Sequence, residues 1–444
     1  MSLKQDAIAI FASGVSAVQP SQLLTSAIIV ENEQLVICGK AVKKNSFEKL
    51  FVIGAGKAAA AMAIETENIL GDILHSGLVV TKYGHSLAAQ KIRIIEAAHP
   101  VPDENSVKGV DETLGLLNQV CENDLVICLI SGGASSLWCD VPHGISLQHF
   151  QQLADQLVNS GADIQEINIV RKHLSLIKGG QLLKYCTGAR VFSLIISDVP
   201  GDDLSVIGSG PTSPDYSTFE QANEILIKYK LYDRIDPSIK KYIEDGLNGF
   251  IPETIKANDL IFQSVTNTII GNNSIAAKAA VSVAHSLDYE TMFEERLITG
   301  DNATAAKNFV ARVLNYAGSK PLCILQGGET TLHVTGKGKG GRNQHFVLAA
   351  LHQIMISTGY KKKNSIVILS GGTDGTDGPT DAAGAVLSEK VFAEMESRNI
   401  APDEYLSCFD SYHFFEKTDG LLITGPTQTN VMDIMIALIN PDLE

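Results

Sequence analysis

The sequence predicts an α/β protein of two domains, each built on a parallel sheet with helices on both faces. Three observations lead there. The chain has 444 residues, 45% hydrophobic and 19% charged, and a single hydrophobic core stops growing at about 250 to 300 residues. Short apolar runs recur, each followed by a turn rich in Gly, Ser or Asp and then by a helical stretch, the alternation that produces parallel strands with crossover helices. The runs are continuous rather than alternating, as in strands covered on both faces. The charged stretch 233–257, with Pro237, Gly246, Gly249 and Pro252, is the expected crossover. It gives an N-terminal domain over residues 1–240 and a C-terminal domain over 241–444.

Composition narrows the function classes. No apolar run reaches the ~18 residues of a membrane span, and the first residues, MSLKQDAIAIF, lack the charged and small-residue segments of a signal peptide. The expectation is a soluble cytoplasmic protein without a membrane partner. The seven cysteines form no CxxC, which fits reduced, buried thiols. The formal net charge of -15 argues against nucleic acid as a partner, so an anionic substrate requires a local positive field. The sequence leaves a homo-oligomer open.

Along the chain, residues 50–53 predict a strand running into Gly54-Ala55-Gly56-Lys57-Ala58-Ala59 and a helix. Gly54 and Gly56 let the backbone approach a ligand closely, and Lys57 in the first turn is a phosphate-facing cation. The segment also fits the dinucleotide fingerprint GxGxxG/A, which needs an acidic residue after the next strand. Here residues 77–80 run into Thr81-Lys82-Tyr83, which only a reader of the 2′-phosphate would accept. Residues 125–130 lead into Ser131-Gly132-Gly133-Ala134-Ser135-Ser136, whose successive amides and three hydroxyls suit a carboxylate or a phosphate. Residues 191–196 precede Ser197-Asp198-Val199-Pro200-Gly201-Asp202-Asp203. Asp198, directly after a buried strand, is a candidate general base or Mg²⁺ ligand; Asp202 and Asp203 are metal-side or helix-capping residues.

The second half repeats the pattern at residues 322–325, 365–369 and 421–423. Between the first two lies Gly336-Lys337-Gly338-Lys339-Gly340-Gly341-Arg342, expected to be a mobile loop opening into a helix and suited to triphosphate oxygens. After residue 369 comes SGGTDGTDGPTDAAGA, where Asp374, Asp377 and Asp381 offer the hard oxygens that Mg²⁺ prefers; the alternative is a self-bonded Asp/Gly turn. Arg171, Lys172 and Lys178 surround a segment ending in Gly179-Gly180, a candidate anion side for the site. His99 and His173 lack metal-ligand spacing and are expected to be hydrogen-bonded structural residues outside the chemical step.

Taken in order, FVIGAGKAA, HPVPDENS, LISGGASSL, RKHLSLIKGG, SDVPGDDLSVIGSGPTSPD, GGETTLHVTGKGKGGRNQ, SGGTDGTDGPTDAAGA and GPTQTN resemble the glycerate 2-kinase family whose C-terminal half is the MOFRL domain. The match runs from about residue 51 to 430; Gln428 departs from a familiar GPTGTN. The resemblance implies two Rossmann-like α/β domains facing across a cleft, D-glycerate, ATP and Mg²⁺ as reactants and cofactor, and 2-phosphoglycerate as product. It points to Lys57 and Arg342 as the cations nearest the chemistry. On this reading Asp198 accepts the hydroxyl proton or holds Mg²⁺, residues 131–136 hold an anionic group, Lys337, Gly338, Gly340 and Gly341 meet phosphate, and Asp202, Asp374 and Asp377 support metal or loop order. Two other classes fit parts of the pattern. An NADP-dependent hydroxypyruvate reductase would use residues 54–59 but leave the aspartate loops without a role. A non-catalytic regulator that binds sugar phosphates would need the amide nests and neither base nor metal ligand.

Overall fold

The computed structural model describes residues 2–358 and 365–441. The chain divides into two compact units, Leu23–Ile270 and Met1–Gln22 with Gly271–Glu444. The division therefore falls later than the expected 240/241 boundary, and the first residues belong with the second half. The helix Pro237–Leu247 buries Ile239 and Ile243 in the first unit's core. At the other end, the helix Leu3–Ala17 buries Ala7, Ile10, Phe11 and Val15. Its Asp6 accepts a 2.9 Å hydrogen bond from the Tyr289 hydroxyl, and Gly14 passes so close to Ala276 that a β-carbon would stand 2.9 Å from its carbonyl.

The first unit opens with a small antiparallel sheet of β1 (Ile28–Val30), β2 (Gln34–Ile37) and β3 (Lys40–Lys43). Its main sheet holds β4 (Leu50–Ala55), β5 (Leu74–Lys82), β6 (Ile92–Ala97), β7 (Leu125–Ile130), β8 (Arg190–Ile196) and β9 (Val265–Gly271), in the order β6-β5-β4-β7-β8-β9. The pairings from β6 through β8 are parallel, as the Rossmann-like expectation requires. Every residue of β4 and β7 is buried, which is why neither run alternates. The strand order reverses between β4 and β7, the place where the crossovers leave a crevice for ligands in such sheets.

The second unit contains β10 (Glu290–Asp301), β11 (Leu322–Thr331), β12 (Ile366–Gly372), β13 (Gly384–Leu387), β14 (Leu421–Leu422) and β15 (Asp433–Ile439), ordered β10-β11-β15-β12-β13-β14. Among the described residues only β10 and β11 pair in parallel; β15 runs antiparallel to both β11 and β12, and β13 and β14 are antiparallel too. This sheet is mixed, not parallel as expected, because the last strand of the chain is inserted at its centre. The helix Arg342–Thr358 covers it, burying Phe346, Leu348, Leu351 and Ile354.

All seven cysteines are free thiols. Burial pushes those of Cys139 and Cys186 up from their ordinary value, which disfavours the thiolate at Cys139 beside residues 131–136. No single helix among the described residues is long and apolar enough to cross a membrane.

Candidate active site

In the first unit the switch between β4 and β7 builds a site from the backbone outward. Ala55 and Ile130 stand level in the sheet, so the two following turns touch. Gly56 has φ 139°, and a β-carbon on it would collide with Ser131 Oγ; only glycine permits that approach. The Lys57 amide donates to Gly132 O at 2.8 Å and the Ala58 amide to Ser131 Oγ at 3.0 Å. The Ser131 hydroxyl is thus turned inward as a stitch between loops, not outward to a ligand as expected.

What remains open is backbone. Among the described residues the Gly132 and Gly133 amides donate to no protein acceptor, leaving successive N–H groups for an anion. Gly133 is left-handed, with φ 84°. The Ser135 hydroxyl shares a 2.8 Å hydrogen bond with that of Ser209, which donates on to Asn168 Oδ1 at 3.3 Å. Arg171 Nη2 donates to Ser135 O at 3.0 Å.

The other two cations expected at the anion side are structural. Lys172 Nζ lies 2.8 Å from Asp215 Oδ1, and Lys178 Nζ donates to Trp138 O at 2.7 Å with Asp140 3.7 Å away. Both lysines are buried. His173 is structural as expected, with its ring nitrogens 2.8 Å from Ile169 O and 3.1 Å from Glu253 Oε2. His99 differs. Its ring makes no hydrogen bond to the described residues, and burial first, then Lys57 and Lys82, push it down to about 4. Asp198 is half-buried just past the end of β8. Asp203 accepts from the Ser205 amide and hydroxyl, both at 2.8 Å, forming a self-bonded turn rather than capping the next helix, while Asp202 holds a left-handed turn position at φ 56°.

In the second unit Arg342 is clamped. Its Nε and Nη2 donate to Asp433 Oδ2 and Oδ1 at 2.6 and 2.9 Å, and its Nη1 lies 2.8 Å from Glu329 Oε1. Burial alone would favour the neutral form, but the Asp433 and Glu329 carboxylates outweigh it and hold the guanidinium charged. Asp433 stands at the start of β15, level with Gly328 of β11 and Gly372 of β12. Its position at the sheet centre depends on the antiparallel insertion. Sequence reasoning missed both carboxylates, although an aspartate opening the apolar run 434–439 was a legible signal.

Asp377, expected at a metal, is 2% exposed and its oxygens accept from the Asn343 and Gln344 amides at 3.0 and 2.9 Å. It caps the helix that carries Arg342. Burial pushes its carboxyl up to about 6. Asp374 Oδ1 accepts from the Thr376 amide and hydroxyl at 3.1 and 3.2 Å, forming the self-bonded turn, yet it stays half-buried. Asp381 accepts from the Tyr412 hydroxyl at 2.8 Å.

The glycine-rich loop is anchored, contrary to the mobile loop expected. The Gly338 amide donates to Cys408 O at 3.0 Å, Lys339 N to Asp410 Oδ1 at 2.9 Å, and Tyr412 N to Lys339 O at 2.9 Å. The Lys339 ammonium sits 3.8 Å from the centre of the Tyr412 ring. A β-carbon on Gly340 would collide with Ser411 Oγ and one on Gly341 with the Asp377 carboxyl. These glycines serve close packing; Lys337 is exposed. Gln428, where GPTQTN departs from glycine, adopts φ 63°, a left-handed conformation that glycine would enter without strain.

Comparison with known proteins places the chain in a family. A family model described as a domain of unknown function, DUF4147, matches residues 6–244, and the MOFRL family model matches residues 322–433. A glycerate 2-kinase of Pyrococcus horikoshii is 37% identical over 446 residues, covering 99% of this chain and 98% of that protein. A D-glycerate 2-kinase of Thermotoga maritima is 39% identical over 426 residues, covering 93% and 97%. The crystal structure of a glycerate kinase from Thermotoga maritima superimposes with a TM-score of 0.84 at 36% identity, covering 98% of this chain and 99% of that one. The amide nest, the lysine beside it and the clamped arginine therefore stand in a chain that belongs to the glycerate 2-kinase family with a C-terminal MOFRL domain.

Proposed function

We propose that this chain transfers the γ-phosphoryl group of ATP to the 2-hydroxyl of D-glycerate, giving 2-phosphoglycerate and ADP. The observation that carries the reading is the pairing of the open Gly132 and Gly133 amides with Lys57, whose own amide is bonded to that loop. It concentrates positive potential at one strand end of a chain with net charge -15. Phosphoryl transfer asks a protein chiefly for positioning and charge neutralisation. Lys57 takes the transferring group and the nest takes an anionic oxygen group of the substrate; in the second unit Arg342, held charged and oriented by Asp433 and Glu329, is a cation suited to phosphate oxygens.

The residues fit a magnesium ion that arrives with the nucleotide. Among the described residues no three His, Cys, Asp or Glu side chains gather within reach of one ion. Mg²⁺ typically keeps waters and phosphate oxygens and needs only one or two carboxylates. Half-buried Asp198, with Asp202 close after it in sequence, in the first unit and half-buried Asp374 in the second are each a single carboxylate suited to that role, and the ion would neutralise charge on the phosphates. Asp377 drops out of that set, because its oxygens serve the helix. The free thiols and the ATP requirement fit a cytoplasmic enzyme.

A reductase reading places NADP on residues 54–59, but gives the Arg342 clamp no work. An assay of ADP release over a panel of small hydroxy acids, run beside NAD(P)H absorbance, separates the two. D-glycerate should give divalent-cation-dependent ADP release; NADPH oxidation with hydroxypyruvate and no ADP release under any metal would overturn the reading.

A further inference from the structure

Resting on the kinase reading, we propose that His99 is a further catalytic residue of this site, its ring taking the proton of the glycerate hydroxyl as that oxygen attacks phosphorus. The ring is placed by a stapled turn. After β6 the Ala98 amide donates to Asp103 Oδ1 at 3.2 Å, and the same oxygen accepts from Ser106 N at 3.1 Å at the start of the helix Glu104–Leu117. The Tyr83 hydroxyl donates to the other carboxylate oxygen at 2.6 Å.

The turn seats His99 on the anion loop. A β-carbon on Gly133 would stand 2.9 Å from His99 Cδ2, 3.0 Å from Nε2 and 3.4 Å from Lys57 Cγ. Glycine is needed there twice, for its left-handed backbone and for the room the ring occupies. Open amides, the lysine stem and an imidazole edge thus meet at one residue.

A structural histidine usually engages its ring nitrogens, as His173 does with Ile169 and Glu253. The His99 ring makes no hydrogen bond to the described residues and keeps an acceptor lone pair. Its environment also holds it neutral. Burial comes first, and the cations acting on it are Lys57 after β4 and Lys82 at the end of β5. The carboxylates flanking it in sequence are engaged elsewhere: Glu96 accepts from the Gly84 and Ser86 amides, and Asp103 from Tyr83, Ala98 and Ser106. Bound phosphates would offset the two lysines and raise the ring's proton affinity when a base is needed.

The step balances. The substrate O–H bond breaks as its oxygen bonds to the γ-phosphorus. The phosphorus–oxygen bond to the β-phosphate breaks with its electron pair leaving on ADP, and the proton passes to His99 and then to water. In a loose phosphoryl transition state this proton moves late, so a weak base suffices. Asp198 is then left for the metal side.

The test is kcat for ADP release from D-glycerate at saturating ATP, from about pH 4.5 to 8.5, in the parent, His99→Gln and Lys82→Gln, each checked by melting. His99→Gln should lose about 10²-fold or more in kcat and flatten the acidic limb. Lys82→Gln should keep the plateau while its acidic limb moves to higher pH, because a cation opposing the imidazolium is gone. Near-parental kcat in His99→Gln overturns the proposal. So does an acidic limb unmoved in Lys82→Gln, which decides alone if His99→Gln does not fold. A parent that releases no ADP with D-glycerate removes the kinase reading itself; an active parent with either negative result removes only the role of His99.

Discussion

Arg342 is held by three donor contacts to two carboxylates, so its role divides into charge and aim. Arg342→Lys keeps the charge but loses the planar fork that meets Asp433 and, in the proposed role, a phosphate; kcat for glycerate should then fall by about 10²-fold or more while the protein stays folded. Steady-state kinetics beside a melting curve check this, and an unchanged kcat with only a small rise in KM for ATP would make Arg342 a packing residue. Asp433→Asn probes aim: the shape stays and the charge partner goes. Its kcat should drop by about 10-fold or more with KM for D-glycerate little changed, because the residue acts through Arg342. Lys57 is the complementary case, since its backbone is fixed by Gly132 and only its ammonium is asked to act. Lys57→Ala should lower kcat by about 10² to 10³-fold with little change in melting. Near-parental turnover at saturating substrates would show that the charge is felt elsewhere.

At the scale of elements, the helix Arg342–Thr358 begins on a buried carboxylate, and that has a pH signature. Asp377 titrates near 6 in the folded protein, mainly because it is buried, and near its ordinary value of about 3.9 when unfolded. A raised carboxylate means the folded state binds the extra proton between those values. Its contribution is therefore fully present below about 3.9 and lost as pH rises through about 6, by on the order of 3 kcal/mol. Asp377→Asn should remove that component, so the stability difference between parent and variant should change across pH 4 to 7; urea unfolding at several pH values measures it, and a constant difference would contradict the assignment. The same element shows how far sequence pattern reached. Apolar runs gave β4, β5, β7 and β8 of the first unit, because strands buried in the sheet centre announce themselves, while β6, β9 and the small sheet β1–β3 were not read. Such runs could not give the place of β15, since pairing between distant runs leaves no local trace, and without it Asp433 has no visible relation to Arg342. The anchored glycine loop was misread as mobile for a similar reason: glycine permits close packing and freedom alike, and only the neighbours at 408–412 decide which.

For the whole molecule, the first helix is a structural part of the second unit. Phe11 packs so near β12 that a β-carbon on Gly371 would stand 2.8 Å from its ring. Phe11→Ala should cost about 3 to 5 kcal/mol, the usual range for emptying a buried aromatic site. The loss should appear in the transition of the second unit, whose protease sensitivity should rise while fragments of residues 23–270 persist. Uniform loss across both units would argue against the division. This arrangement also sets an order of events during synthesis. The helix Leu3–Ala17 leaves the ribosome long before β15, and the sheet it covers is not complete until that strand has been made. At bacterial or slower elongation rates of about 5 to 20 residues per second, the opening helix waits roughly 20 to 80 s with its apolar face uncovered. The first unit, Leu23–Ile270, emerges whole during that interval and can close on its own. A nascent chain stalled before β15 would thus carry a finished first unit between two unfinished ends, with Phe11 and Ile10 available to chaperones until the final strand arrives.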